Sequence, residues 1–92
     1  MKSEREILLE IVESLLAGKI DCERAQSKID TLSMQDFSEL YGNLHHYYND
    51  QDLREKDPEY KVFQNIELEK LIKHLKAGEI GKANGISFLH ES

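Results

Sequence analysis

Two histidines, two tyrosines and two acids that could do chemistry together lie within residues 45–52. His45 and His46 are adjacent, and adjacent helical residues point about 100° apart, so the two rings diverge instead of converging on one metal ion. His46 and Asp50 are four residues apart and could share an ion only with ligands from elsewhere. We therefore expect no metal site, and a metal-dependent enzyme that uses His46 with Asp50 is the less favoured interpretation.

Nucleophilic and acid–base catalysis have little support in the pattern. Cys22 is predicted in the first turn of a helix, where the dipole favours a thiolate, but Glu23 beside it opposes that effect. Asp50 and Asp52 lie in a polar segment where nothing removes either carboxylate from water. The glycines near the C-terminus lack the preceding strand and the Lys-Ser/Thr ending of a phosphate-binding loop. The sequence predicts no catalytic residue, no cofactor and no enzymatic activity.

The balance of charge excludes several classes of partner. Among 92 residues, 12 are Lys or Arg and 18 are Asp or Glu, which gives a net charge of −6. An acidic chain is poorly suited to the phosphates of nucleic acid or to an anionic membrane surface. The single cysteine, Cys22, forms no internal disulfide and is typical of a reducing compartment. Because there is no long apolar run and no basic start typical of a signal peptide, we expect a cytoplasmic protein.

Helical periodicity and capping signals account for most of the chain. Ser3 opens a capping box, Asp21 is a favourable N-cap, and Gly18 separates the two helices that these residues begin. Ser33, with Asp36 in a second capping box, is expected to begin the third helix. Helices are therefore predicted over residues 3–17, 21–30, 33–49 and 58–77. No segment has a strand pattern, so we predict an all-α fold, a compact antiparallel bundle of four helices with five as the alternative.

Two segments of the chain are harder to assign. The apolar residues of 58–77 occupy two opposite helix faces, so we expect a break near Asn65, the alternative being a helix buried on both sides. The polar stretch before this segment offers only Leu53 as an apolar anchor. We divide the chain into a helical bundle domain, residues 1–77, and a glycine-containing tail, residues 78–92. Three apolar residues of the tail either dock onto the bundle or stay mobile, namely Ile86, Phe88 and Leu89.

The end of the third helix is the most suggestive place for a partner. Tyr47 and Tyr48 are adjacent there, so both rings cannot enter the core equally, and at least one should be exposed as a binding anchor. The carboxylates that follow could steer a basic protein to this surface. The alternative is that the rings cover the end of the bundle and the acids only keep the protein in solution. The predicted partner-binding residues are Tyr47, Tyr48, Asp50, Asp52, Glu55, Asp57 and Glu59.

Three stretches of the chain resemble the small helical immunity proteins of the colicin D type. The first is LLAGKI at residues 15–20, which is followed by an acidic helix start. The second is the aromatic-rich segment 40–48, which leads into NDQDLR at residues 49–54. The third is the segment 68–75, which is similar to the closing helix of that family. The resemblance covers most of residues 8–76.

The resemblance implies that the protein acts as an acidic plug. Proteins of this family occupy the basic active-site cleft of a tRNA-cutting toxin domain and imitate the phosphates of the RNA. The resemblance places Asp50 and Asp52 where family carboxylates meet lysines and the catalytic histidine of the toxin. His45 and Tyr48 depart from the family pattern, which has acids in the last turn of this helix. The tail beyond Ala77 is also longer than in the family.

Two functions from different classes follow from these observations. The first is a cytoplasmic immunity protein that binds and blocks a basic toxin domain, expected to be a nuclease, with no nucleic acid, membrane or cofactor involved. The second is a small helical adaptor or self-associating domain, in which the tail and the two-faced helix after Pro58 form an apolar contact between copies. The sequence leaves open whether the chain is a monomer or a homodimer.

Overall fold

The structure is a computed structural model that describes residues 2–88, and the regular elements in that range are six helices. This confirms the all-α prediction. The four predicted helices correspond to the four longest, while two short ones occupy segments too brief for a clear periodicity. The described body measures 39 × 24 × 19 Å. In chain order the helices are α1 (Glu4–Leu16), α2 (Cys22–Asp30), α3 (Ser38–Asn49), α4 (Gln51–Lys56), α5 (Pro58–Ala77) and α6 (Ile80–Asn84).

The first two helices begin and end where local signals predict. The Ser3 hydroxyl accepts a hydrogen bond from the Glu6 amide at 3.2 Å, and Asp21 Oδ1 accepts one from the Arg24 amide at 2.8 Å. Gly18 follows α1 in the left-handed conformation, with φ +75°, which a residue with a Cβ atom rarely adopts. These caps join residues within four positions of one another, so the sequence alone is enough to place them.

The third helix begins later than predicted, at Ser38 and not at Ser33. The Ser33 hydroxyl donates to Glu4 Oε2 and the Met34 amide donates to Glu4 Oε1, each at 2.8 Å. Met34 has φ +53°, and this left-handed residue prevents a helix from starting there. The predicted capping box of Ser33 with Asp36 is therefore wrong, because α1 supplies a competing carboxylate from 30 residues away.

The long helix α5 is continuous, so the predicted break near Asn65 is wrong. Asp57 caps its N-terminus and Pro58 occupies the first turn. One face is buried, while on the opposite face Val62 and Ile66 are 57 % and 45 % exposed to solvent. The second apolar face therefore requires neither a break nor burial, since these two side chains remain at the surface of a continuous helix. The buried face consists of Gln64, Leu68, Leu71 and Leu75.

The apolar core takes side chains from α1, α2, α3, α5 and α6. α1 packs most extensively against α5, and α4 and α6 also contact it. Arg5 Nη1 donates to the Leu75 carbonyl at 2.5 Å, which ties α1 to the last turn of α5. Burial of each large apolar side chain stabilises such a fold by roughly 1.5–3 kcal/mol. The most deeply buried apolar side chains include Leu8, Val12, Leu40, Leu44, Leu68 and Phe88.

The segment after α5 packs against the bundle. Ile86 and Phe88 are buried, and Asn43 Nδ2 donates to the carbonyls of Asn84 at 3.2 Å and Ile86 at 2.7 Å. Apolar burial and side-chain hydrogen bonds to the backbone therefore both attach this part of the tail to the bundle. Leu89, which was expected to accompany these residues, lies outside the described part of the chain.

Candidate functional site

Both tyrosines at the end of α3 are interior, which corrects the prediction that at least one ring is exposed. Tyr47 is 5 % and Tyr48 is 9 % exposed. The Tyr47 ring packs edge-on against Phe88, with centroids 5.2 Å apart, and the Arg54 guanidinium lies 3.7 Å from its centre. The Tyr48 ring packs edge-on against His45 at 5.7 Å. The Tyr47 and Tyr48 rings point in different directions, and each is enclosed by its own set of neighbours.

Burial keeps both tyrosine hydroxyls protonated. It is the main cause that raises the pKa of Tyr47 and the pKa of Tyr48 above the ordinary value of 10.0, and at Tyr47 the Arg54 guanidinium opposes the shift. The Tyr48 hydroxyl is also buried without a hydrogen-bond partner among residues 2–88. A buried hydroxyl left unpaired costs roughly 1–3 kcal/mol, so this side chain contributes to stability through its ring and not through its oxygen.

We expect Tyr48→Phe to leave the free energy of unfolding unchanged or to raise it by about 1 kcal/mol, because it removes an unpaired buried hydroxyl and keeps the ring. Urea unfolding followed by circular dichroism measures the change. Tyr41→Phe is the matched control, since the Tyr41 hydroxyl donates to Asp30 Oδ1 at 2.5 Å and its removal should not stabilise. A loss of more than about 1 kcal/mol in Tyr48→Phe would show that the hydroxyl is engaged.

A buried arginine attaches α4 to the bundle. Arg54 is 8 % exposed whereas its neighbour Leu53 is 51 % exposed, so the prediction that Leu53 anchors this segment is wrong. Arg54 Nη1 donates to the Tyr47 carbonyl and to Gln64 Oε1, both at 2.5 Å, and Nη2 donates to Cys22 Sγ at 3.4 Å. The guanidinium carries several donors in a fixed plane, and here they join α4 to α2, α3 and α5.

Gln64 connects this arginine to Asp50. Its side chain is fully buried, and Nε2 donates to Asp50 Oδ2 at 3.1 Å and to the Phe88 carbonyl at 2.9 Å. The Tyr60 hydroxyl also donates to Asp50 Oδ2, at 2.7 Å. Opposite charges thus lie at the two ends of one hydrogen-bond chain, where each bond polarises the next. Asp50, one of the predicted partner-binding residues, is therefore engaged by internal partners.

Cys22 is buried beside this network. Burial is the main cause that raises the pKa of its thiol, and the nearby Arg54 guanidinium lowers it by less. The thiol is therefore protonated at neutral pH. In that form its sulfur serves as a weak acceptor for the arginine.

Four other predicted partner-binding acids are exposed where α4 meets α5, a surface that we call the acidic corner. None of them forms an ion pair with a cation of residues 2–88, and the five ion pairs of that range lie elsewhere. Lys56 and Lys61 are exposed beside the corner and reduce its net charge. The structure therefore leaves these acids at the surface of two adjoining helices while it encloses the tyrosines. The acidic corner consists of Asp52, Glu55, Asp57 and Glu59.

Over residues 2–88, no group of three or more His, Cys, Asp or Glu side chains is arranged to hold a metal ion. His46 is exposed, while Asp50, its candidate co-ligand, accepts hydrogen bonds from Tyr60 and Gln64. In the same part of the chain, no helix combines the length and apolar character needed to cross a bilayer.

Comparison with known proteins gives no match to a protein-family model, to a curated protein or to a solved structure. The resemblance to immunity proteins of the colicin D type therefore rests on residues 15–20, 40–54 and 68–75 alone. A function has to be inferred from the chemistry of the surface.

Proposed function

We propose that this chain is a cytoplasmic immunity-type protein that binds a basic protein, the nuclease domain of a toxin, and blocks it through the acidic corner. The observation that carries the proposal is the exposure of four carboxylates between residues 52 and 59, none paired with a cation of the described chain. Unpaired carboxylates attract lysine and arginine side chains of a partner and raise the association rate. The net charge of −6 acts in the same direction.

The acidic corner is held in place by contacts within the chain. Arg54 fixes α4 to α3 and α5, and Asp57 Oδ1 accepts a hydrogen bond from the Glu59 amide at 3.0 Å at the start of α5. Asp52 and Glu55 therefore project from a short helix whose backbone is already ordered. Binding through a preorganised element loses less conformational entropy than binding through a flexible loop, which supports recognition of cations at fixed positions in a cleft.

Leu53 is a better apolar anchor for a partner than the tyrosines. Tyr47 and Tyr48 are interior and cannot contact another protein, whereas Leu53 is half exposed and lies next to Asp52 in α4. Protein interfaces combine an apolar centre with a polar rim. We infer that Leu53 packs against an apolar part of the toxin surface while the carboxylates of the acidic corner pair with cations around it.

Reversing two charges of the acidic corner tests this proposal. We expect Asp52→Lys with Glu55→Lys to weaken binding to the basic partner by at least about tenfold, because two attractions become repulsions. Binding should also depend less steeply on salt, since fewer opposite charges remain to be screened. Wild type and variant are used as baits for capture from the native host, and the captured basic protein is then titrated by calorimetry at two salt concentrations.

A second double variant controls for the change in net charge. Glu23→Lys with Glu39→Lys also reverses two exposed acids outside ion pairs, but these lie on α2 and α3. It should retain the partner with an affinity within about threefold of wild type, because surface charges remote from an interface contribute little. Equal capture by wild type and by the variant of the acidic corner would place the binding surface elsewhere.

A self-associating domain is the second candidate function. Ile86 and Phe88, which the sequence pattern assigned to a contact between copies, are buried in the core of their own chain and are not available for it. The helix after Pro58 was the other half of that predicted contact, and the exposure of Val62 and Ile66 on this helix, α5, favours the same function.

A further inference from the structure

A groove runs between α1 and α2 on the side of α1 that faces away from α5. Its volume is about 540 Å³, and it is lined by Ile7, Ile11 and Ile20, by several serine and threonine hydroxyls, and by Glu10, whose charge is paired with Lys2. Arg24 and Lys28 stand one turn apart along its α2 edge, both exposed and neither in an ion pair within residues 2–88. The groove therefore combines an apolar floor with a cationic edge.

The outward face of α5 has the complementary character. Val62 and Ile66 are one turn apart and exposed, with Glu59 one turn before them and Glu69 one turn after. Since positions three and four apart share a helix face, these four residues form one straight row, which we call the α5 stripe. Its centre is apolar and both of its ends are acidic.

We propose that the α5 stripe of one copy of this chain docks into the α1–α2 groove of a second copy. Val62 and Ile66 then cover the isoleucines of the groove, and the acids at the ends of the stripe come close to Arg24 and Lys28. Helix-in-groove docking of this kind uses apolar side chains at i and i+4 as anchors and charges at the edges to set the position.

The contact joins two different surfaces, so it is heterologous. Each copy has one groove and one stripe, and association continues into an open chain or a ring instead of ending at a symmetric dimer. The stripe is smaller than the interface of a stable complex, so we expect dissociation constants of about 10–100 µM. Glu59 belongs to both the α5 stripe and the acidic corner, but self-association is tested with the pure chain, so its failure would leave the proposed binding of a basic protein standing.

Sedimentation velocity over a range of concentrations tests the proposal with three proteins. The wild type should grow in average mass as the concentration rises. Val62→Lys with Ile66→Lys removes the stripe, and Arg24→Glu with Lys28→Glu removes the cationic edge of the groove. Each variant alone should associate at least about tenfold more weakly, because its charges oppose those of the intact surface on the other copy. A wild type that stays monomeric throughout would overturn the proposal.

Mixing the two variants distinguishes this contact from a symmetric one. The stripe variant retains a groove and the groove variant retains a stripe, so the two should associate with each other when mixed, although each alone associates weakly. Continued association of the groove variant alone at the wild-type level would overturn the proposal in favour of stripe-to-stripe contact. Lys56→Glu with Lys61→Glu makes the same change in net charge as the groove variant, but away from both surfaces. This control should associate no less than wild type. Circular dichroism confirms that each variant is folded, as expected since all substituted side chains are exposed.

Discussion

Arg54→Ala should lower the free energy of unfolding by about 3 kcal/mol, a large fraction of the roughly 5–15 kcal/mol that stabilises a small domain. The substitution leaves the Tyr47 carbonyl and Gln64 Oε1 without their donor, and an unpaired buried acceptor costs roughly 1–3 kcal/mol. It also removes the guanidinium that stacks on the Tyr47 ring at 3.7 Å. The relief of a buried charge offsets part of this loss.

Two further variants show whether the donors of Arg54 cause the effect. Arg54→Lys keeps a charge but loses the planar fork, and should cost about 1–2 kcal/mol. Lys56→Ala removes an exposed cation from the same helix and should change stability by less than about 0.5 kcal/mol. Urea unfolding gives all three values. Equal stabilities for Arg54→Ala and Lys56→Ala would mean that α4 is not attached through its arginine.

Phe88→Ala should destabilise the fold by about 3–4 kcal/mol, in the range of buried phenylalanines replaced in protein cores. The Phe88 side chain is fully buried, and its ring packs against Tyr47 at 5.2 Å. Its carbonyl accepts a hydrogen bond from Gln64 Nε2 at 2.9 Å. The substitution therefore creates a cavity at the place where the C-terminal segment meets the network of Arg54 and Gln64.

The unfolding transition of Phe88→Ala decides whether residues 86–88 unfold together with the bundle. If the segment belongs to the core, we expect a single cooperative transition at a lower denaturant concentration. The slope of the unfolding free energy against denaturant concentration should be unchanged. Val62→Ala, a truncation of an exposed side chain on α5, is the control and should stay within about 0.5 kcal/mol of wild type. If Phe88→Ala is as stable as this control, the segment does not contribute to the folded core.

Part of the candidate site follows from residue types alone. Asp52, Glu55, Asp57 and Glu59 are exposed, as their polarity indicates, because a charged side chain without a partner is rarely buried. Gln64 could also have been found, since it lies one turn before Leu68 on the same helix face and shares the buried row of α5. A polar residue in phase with a core stripe indicates a buried hydrogen-bond network.

Arg54 and the tyrosines could not be placed in this way. Hydropathy favours Leu53 for burial and Arg54 for solvent, and the structure reverses the two. The reversal depends on the Tyr47 carbonyl, Gln64 and Cys22, which come from three other helices and offer acceptors that no short-range pattern contains. Arg54 and Phe88 pack against the Tyr47 ring, and neither contact can be read from the position of Tyr47 on α3.

The sequence by itself determined what depends on neighbours within about one helical turn: the all-α class, the bounds of α1, α2 and α5, and the polarity of the acidic corner. Tertiary structure alone decided the start of α3, where Glu4 captures the backbone of Met34. It also decided the burial of Tyr47 and Tyr48 and the attachment of α4 through Arg54. The physical reason is that a cap or a helix phase is satisfied locally, whereas burial and long-range hydrogen bonds depend on which distant segments the fold brings together.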